Sequence, residues 1–289
     1  MPHPHVLLLT ADPASGALDE SVAFSVRALT GTQGHWLKPG AAFEAPISDA
    51  AIRKIVATAL APRPIDVNTL PHENRAKSLL AADMESTLIE QEMIDELASL
   101  TGRREEMSAL TRATMRGEID FKTSLRHRVA LLAGLTLGDL ATVAGRITLM
   151  PGAATLVATM KANGALTALV SGGFTVFAEP VAQRLGFDRC FANTVEIENG
   201  HLTGRLAEPI LDAAKKRDIL SSLATEQDIA PAQILAVGDG ANDLPMLQAA
   251  GLGVAFRAKP AVRAAMRASP TGAVIDHADL TALLHLQGL

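Results

Sequence analysis

Leu79–Asp83, LLAAD, is a short apolar run that ends in a carboxylate. Two later runs repeat the design: Ala165–Ser171, ALTALVS, ends in a hydroxyl, and Ile234–Asp239, ILAVGD, ends in a second carboxylate. Each is followed at once by small or turn-forming residues. Short apolar runs bounded this way predict buried strands of a parallel sheet. Ligands of such sheets bind in the crevice beyond the carboxyl ends of the strands. Three strands ending in Asp, Ser and Asp would aim phosphate-competent groups into one pocket.

Outward from these runs, strands and helices alternate. Lys77–Asp83 is the first expected strand. Residues 90–145 read as several short helices with no strand between them, punctuated by Gly102, Gly117, Gly134 and Gly138. Pro151-Gly152 opens a helix that Asn163-Gly164 closes. Strand Ala165–Ser171 follows, then a helix through Leu185. Thr194–Thr203 alternates around Asn199-Gly200, a strong hairpin signal. A helix near Lys216–Thr225, strand Ile234–Asp239, a helix through Ala250 and strands Gly253–Phe256 and Ala273–Ile275 complete the pattern. The expected fold is α/β: a doubly wound parallel sheet in a Rossmann-like core, 75–89 and 149–289, with an inserted helical cap at about 90–148. Residues 1–74 differ in texture and predict a small α+β module. It has strands at Val6–Thr10, His35–Leu37 and Ile65–Leu70 and helices at Leu18–Leu29 and Asp49–Leu60, the second capped by Ser48 or Asp49.

The bulk properties exclude several classes. The 289 residues hold 48% hydrophobic and 20% charged residues, enough for one large domain or two modest ones. No apolar run approaches the roughly 18 residues that a membrane helix requires. The start, MPHPHVLLLTADP, lacks the basic and cleavage features of a secretory signal, so a cytoplasmic protein is expected. A net charge of −5 is the wrong sign for a nucleic-acid surface. The single cysteine, Cys190, rules out an internal disulfide and reads as a small core residue. A small-molecule substrate is the expected partner, with no nucleic acid and no membrane, and a homodimer is compatible with all of this.

Asp83 and Glu85 flank Met84 directly after a strand. In extended backbone residues i and i+2 share a side, so both carboxylates would face one pocket. One could attack phosphorus, the other protonate the leaving alcohol and then activate water. Solvated acids at a strand exit are the plainer reading of the pair alone. In Gly238-Asp239-Gly240-Ala241-Asn242-Asp243 the glycines permit close approach of a ligand, and the carboxylates offer hard oxygens suited to Mg²⁺. The hydroxyl and bare N–H groups of Ser171-Gly172-Gly173 can bind phosphoryl oxygens. Lys216, just before a helix, could neutralise a phosphate and its neighbour Lys215 reads as the solvated one, though spacing alone does not separate them. Glu92 and Asp95 read as a solvated helix face, and His3 with His5 resembles a loose metal-binding tail, against which a plain solvated terminus is the simpler reading.

Taken together, Asp83-Met84-Glu85-Ser86-Thr87, Ser171-Gly172-Gly173-Phe174, Lys216 and Gly238 through Asp243 resemble the haloacid dehalogenase-like phosphotransferases. The likeness covers about residues 77–289 and is tightest to members that hydrolyse O-phospho-L-serine, the last step in making serine. Glu92 through Ala98, Met115 through Glu118 and Phe121 through Arg128 are similar to their cap segments. The N-terminal module resembles ACT-like domains. The resemblance implies Asp83 as nucleophile and Mg²⁺ held by the side chains of Asp83 and Asp239 and the backbone carbonyl of Glu85. It implies Ser171, Gly172 and Lys216 on the phosphoryl oxygens, with Asn242 and Asp243 in support. Glu92 would pair with the substrate ammonium and Arg128 with its carboxylate, under a lid of Met115 and Phe121.

One position departs. The family pattern has Asp where this chain has Glu85, whose side chain is longer by one methylene. Binding should survive and turnover fall. Rival readings are transfer of the phosphoryl group to another alcohol such as homoserine, and an impaired protein that senses an amino acid through its N-terminal module.

Overall fold

The structure, a computed structural model, describes residues 4–115 and 118–289, with the side chain of Met115 outside that description. The N-terminal module runs β1 (His5–Thr10), α1 (Glu20–Thr30), β2 (His35–Lys38), β3 (Ala42–Ile47), α2 (Ile52–Leu60) and β4 (Asp66–Pro71). Its strands form an antiparallel sheet in the order β2-β3-β1-β4. The middle of β1, Val6–Leu9, is apolar because both of its faces are covered. Leu7 and Leu9 pack with α1 and α2, whereas Val6 and Leu8 join the core of the rest of the chain.

Two expectations for this module need correction. β3 was not anticipated, because Pro46 interrupts its pattern. Pro46 pairs with Val6 on β1, and β2 contacts only Ala42–Glu44, so the missing N–H falls beyond the end of β2. α2 starts at Ile52, with Ala51 as N-cap and no capping side chain. Asp49 instead accepts from the Ala51 N–H at 2.8 Å in the turn before it.

The larger part of the chain begins with β5 (Leu79–Ala82). The helices α3 (Met93–Thr101), α4 (Arg104–Met115), α5 (Phe121–Ala130) and α6 (Leu137–Ala144) follow. The chain returns through α7 (Ala153–Ala162), β6 (Leu166–Phe174), α8 (Thr175–Leu185), β7 (Arg189–Asn193), β8 (Val195–Glu198), β9 (His201–Leu206) and α9 (Ala213–Glu226). It ends with β10 (Ile234–Gly238), α10 (Leu244–Ala249), β11 (Leu252–Phe256), α11 (Pro260–Ala268), β12 (Gly272–Ile275) and α12 (Ala282–His285).

Six strands make a fully parallel sheet in the order β12-β11-β10-β5-β6-β7. The first strand lies inside, later strands add on both sides, and helices cover both faces, the expected doubly wound α/β arrangement. β7 was not read from the sequence; as an edge strand its RCFAN segment is only partly buried. Cys190 accordingly is a half-buried edge residue packed against the core, not an interior one, and burial pushes its thiol up to about 11.

The α3–α6 insertion joins the sheet through two chain crossings that are hydrogen-bonded to each other. Glu90 N–H donates to Thr148 O at 3.0 Å and Met150 N–H to Leu88 O at 2.8 Å, around one antiparallel bridge, Ile89–Leu149. The β8–β9 hairpin turns at Asn199 (φ 51°) and Gly200 (φ 78°), the two left-handed residues that the Asn-Gly signal requires. It packs on α5 and buttresses the insertion, with Gly134 N–H donating to Leu202 O and Leu202 N–H to Leu135 O.

The module docks edge to edge on the main sheet. The Asn68 side chain on β4 imitates a strand partner, donating to Val274 O and accepting from Val274 N–H, each at 2.9 Å. Asp66 accepts from the N–H groups of Asp276, His277 and Ala278. Among the described residues no helix is long and apolar enough to cross a membrane.

Candidate active site

The ends of β5, β6 and β10 converge under the helical insertion, as the opening pattern implied. Asp83 follows β5 and is tied across to β10 by its N–H, which donates to Val237 O at 3.0 Å. Asp239 follows β10. Between the sheet and the insertion lies a cavity of about 350 Å³. Asp83, Glu85, Gly172, Asp239 and Asn242 line it from the sheet side, and Glu92, Phe121 and Arg128 from the insertion. Ser171 and Lys216 are fully buried behind this lining. Met115 ends α4, but its side chain lies outside the described residues, as do Arg116 and Gly117.

Burial decides between the two lysines: Lys215 is exposed, while Lys216 is sealed at the first turns of α9. The expectation that Lys216 precedes the helix is corrected. Its Nζ donates to Asp83 Oδ1 at 2.6 Å and to Asp243 Oδ1 at 2.7 Å. Burial alone would lower its pKa, but the charges of Asp243 and Asp83 overcome that and raise it. Lys216 is therefore a fixed cation, and it orients Asp83 while leaving Oδ2 without a side-chain partner among the described residues.

Asp243 is fully occupied, since its Oδ2 also accepts from the Gly240 N–H at 2.9 Å. It thereby fixes the loop that presents Asp239. Gly238 must be bare for this, because a Cβ there would lie 2.5 Å from Asp243 Cγ. The Ser171 loop is fixed in the same manner. Ser171 Oγ accepts from Gly173 N–H at 2.9 Å, and Asn193 Nδ2 donates to Gly172 O at 2.8 Å. Asn193 was missed in the sequence because β7, which it ends, was missed; its Oδ1 also accepts from Leu211 N–H at 2.7 Å.

Glu85 reaches past the other carboxylates to the start of α3. Its Oε1 accepts from the Met93 N–H at 3.0 Å, a contact favoured by the positive end of the helix. A Cβ on Gly173 would come within 2.9 Å of the same oxygen, so glycine makes room for the longer side chain. Burial, then the negative charges of Glu92 and Asp83, push the Glu85 carboxyl up to about 8. Burial and these neighbours therefore favour its protonated form. Ser86, in a left-handed conformation (φ 55°), donates from Oγ to Glu92 Oε1 at 2.8 Å and sets that carboxylate at the cavity wall.

The Glu92/Asp95 face, expected to be solvated, turns instead to the cavity, which both residues line. Across from them Arg128 is largely buried and its Nε has no hydrogen-bond partner among the described residues. Burial lowers its pKa, against the charges of Asp95, Glu85 and Glu92. Lys259, unnoticed in the sequence, also lines the cavity, and its Nζ lies 3.4 Å from Asp239 Oδ2.

Carboxylate oxygens of Asp83, Asp239 and Asp243 lie within 4.8 Å of one another. The Glu85 side chain is not part of that cluster. Burial raises Asp83, with Asp243 adding, and raises Asp239 to about 6 despite Lys259. Packed acids with hard oxygens and unbalanced charge fit a hard divalent cation.

This charge makes pH a test. A carboxyl whose folded pKa lies above its unfolded value stabilises the fold at low pH and loses that contribution as pH climbs through the folded value. In chelator, the melting temperature is expected to fall as pH rises from the ordinary carboxyl range near about 4, the contribution of Asp239 being spent by about pH 6 and that of Glu85 by about pH 8. Ligand carboxyls must deprotonate to bind, so the stabilisation by added divalent cation should grow over the same window. Thermal melts with and without the cation check this; an equal gain at both ends of the window contradicts it.

The sequence profile of the haloacid dehalogenase-like hydrolases matches residues 80–248. The chain is 53% identical over 191 residues to a phosphoserine phosphatase of Albidiferax ferrireducens, covering 64% of this chain and 81% of that one. It is similar in structure to a probable phosphoserine phosphatase from Vibrio cholerae, with TM-score 0.80 and 32% identity over 99% of this chain and 86% of that one. A phospho-aspartyl intermediate analogue of phosphoserine phosphatase matches with TM-score 0.66 and 36% identity, covering 73% of this chain and 98% of that one.

Proposed function

The chain belongs to the haloacid dehalogenase-like hydrolases, and on that footing we propose that it hydrolyses O-phospho-L-serine to L-serine and phosphate. It is a phosphoric monoester hydrolase. The observation that carries the substrate is the polarity of the cavity: phosphoryl-handling groups at the strand ends face an acid, Glu92, and a guanidinium, Arg128, on the insertion. One end takes a phosphate; the other takes an ammonium and a carboxylate.

In this reading Asp83, held through Oδ1 by Lys216, attacks phosphorus through Oδ2. The bond from phosphorus to the serine oxygen breaks, and Glu85 gives its proton to that oxygen. Glu85, now ionised, takes a proton from water as the water attacks phosphorus. Phosphate leaves and the Asp83 carboxylate is restored. Asp83 and Asp239 would hold Mg²⁺, which when bound neutralises charge on the phosphoryl oxygens. The Gly172 backbone and Lys216 add fixed positive potential there, and Ser171 holds the loop through the Gly173 N–H. Phe121 closes the apolar side of the cavity and helps exclude water. With no membrane-crossing helix among the described residues, a cytoplasmic place in serine formation is consistent with this chemistry.

Arg128 offers the discriminating test. Arg128→Met is expected to raise KM for O-phospho-L-serine about tenfold to a hundredfold, the worth of a charge-assisted pair. KM for O-phosphoethanolamine, which has no carboxylate, should change little. Steady-state phosphate release on both substrates reads this. Equal losses on the two would remove Arg128 from carboxylate recognition, and no release by the folded parent chain from O-phospho-L-serine would overturn the assignment.

A further inference from the structure

Beyond the active site, two adjoining cavities of about 360 and about 300 Å³ lie where the N-terminal module meets the main sheet. They flank the Asn68–Val274 pair and share Arg53 of α2 and Arg267 of α11 in their linings. The smaller has a distinctive chemistry. Its polar lining is Arg53, Arg267, His5, Thr69, Ser269 and Asn68, with no carboxylate. In a chain of net charge −5, a cavity with two guanidiniums and no acid is not the average surface.

Neither cation is held by a close protein partner among the described residues, Arg53 being half-buried and Arg267 exposed. Arg53 makes no side-chain hydrogen bond or ion pair among the described residues. Arg267 has one long contact, 3.5 Å to Asp276 Oδ2, an atom that Arg263 already holds at 2.7 Å. Thr69 and His5 line the same wall, but their Oγ1 and Nδ1 atoms are closed off from solvent and have no hydrogen-bond partner among the described residues, so the two guanidiniums carry the polar face of the cavity. Buried polar atoms of this kind are normally paired. Guanidiniums fork onto planar or tetrahedral oxyanions.

We propose that this junction cavity is a second binding site, for a small oxyanion of the phosphate or carboxylate class, bridging the N-terminal module to the main sheet through Arg53 and Arg267. The bound anion ties α2 of the module to α11 of the core. α11 runs from Lys259, its N-cap at the active-site rim, to Arg267 in its last turn, so the same helix touches both cavities. A ligand there also stabilises the docked arrangement by mass action. Nothing in this inference depends on which phosphomonoester the active site cleaves.

Calorimetric titration of the full chain in chelator, with inorganic phosphate, sulfate and L-serine as separate probes, tests it without turnover. Phosphate and L-serine are also ligands of the active site in the proposed reaction, so the junction site is read as the part of the binding that Arg53 and Arg267 carry. Saturable binding is expected, with phosphate and sulfate responding if the site takes a tetrahedral dianion and L-serine if it takes a carboxylate. Arg53→Met and Arg267→Met should each weaken it about tenfold or more. Lys54→Met, an exposed neighbour on α2, should leave it unchanged. Circular dichroism melts establish that each variant is folded. Absence of saturable binding by all three probes, or binding indifferent to both arginines, overturns the proposal.

Discussion

Replacing Asp83 by Asn is expected to lower phosphate release from O-phospho-L-serine by at least about 10⁴-fold, because a carboxamide oxygen does not form the acyl phosphate. The fold should persist. The substitution keeps the shape of the side chain, Asn Oδ1 can still accept from Lys216, and Lys216 retains Asp243 at 2.7 Å. Loss of turnover with an unchanged far-ultraviolet spectrum and preserved phosphoserine binding therefore separates chemistry from architecture. Residual turnover within about tenfold of the parent would show that Asp83 orients the substrate rather than attacks it.

The second large effect runs the other way. Glu85→Asp is expected to raise kcat about a hundredfold. The glutamate carries its carboxyl about 1.5 Å farther along the chain than an aspartate would. It spends that length on the Met93 N–H at the start of α3. A misplacement of about 1 Å can cost roughly 100-fold in rate, and complete loss of acid–base help about 10²–10⁴. KM should move little, since the residues facing the substrate's ammonium and carboxylate are elsewhere. Steady-state kinetics of the two proteins check this, and an unchanged kcat within about twofold would mean that Glu85 is already well placed from its seat at α3.

The parallel sheet was legible because its signals are local. Each buried strand is a continuous apolar run, and the polar group ending it needs no long-range information to be placed at the crevice. The Asn199-Gly200 turn was legible for the same reason. Lys216 was ambiguous beside Lys215, yet a signal existed: Lys216, Leu220, Leu223 and Ala224 recur at helical spacing and are all buried. Read as one face, they put Lys216 inward. Glu92 and Asp95 were assigned to solvent because helical phase says which face they share, not what lies opposite it.

What stayed hidden depends on tertiary pairing. β3 carries a proline that is tolerated only because β2 is short, and β7 is a partly buried edge strand whose composition resembles a loop. Asn193 and Lys259 reach their partners across long sequence distances, from positions with no pattern of their own. The junction is similar: Asp66, Asn68 and Leu70 alternate on β4 and are buried, a face that turns inward only because a second sheet edge meets it.

Rapid-quench trapping would decide whether hydrolysis passes through Asp83. The chain is mixed with Mg²⁺ and ³²P-labelled O-phospho-L-serine, quenched in acid within a turnover, digested and mapped by mass spectrometry. An acid-stable, hydroxylamine-labile label on the peptide containing Asp83, absent from the Asp83→Asn protein, is the expected result. Release of labelled phosphate at the same rate with no protein-bound label at any quench time, or with the label on another residue, would contradict it.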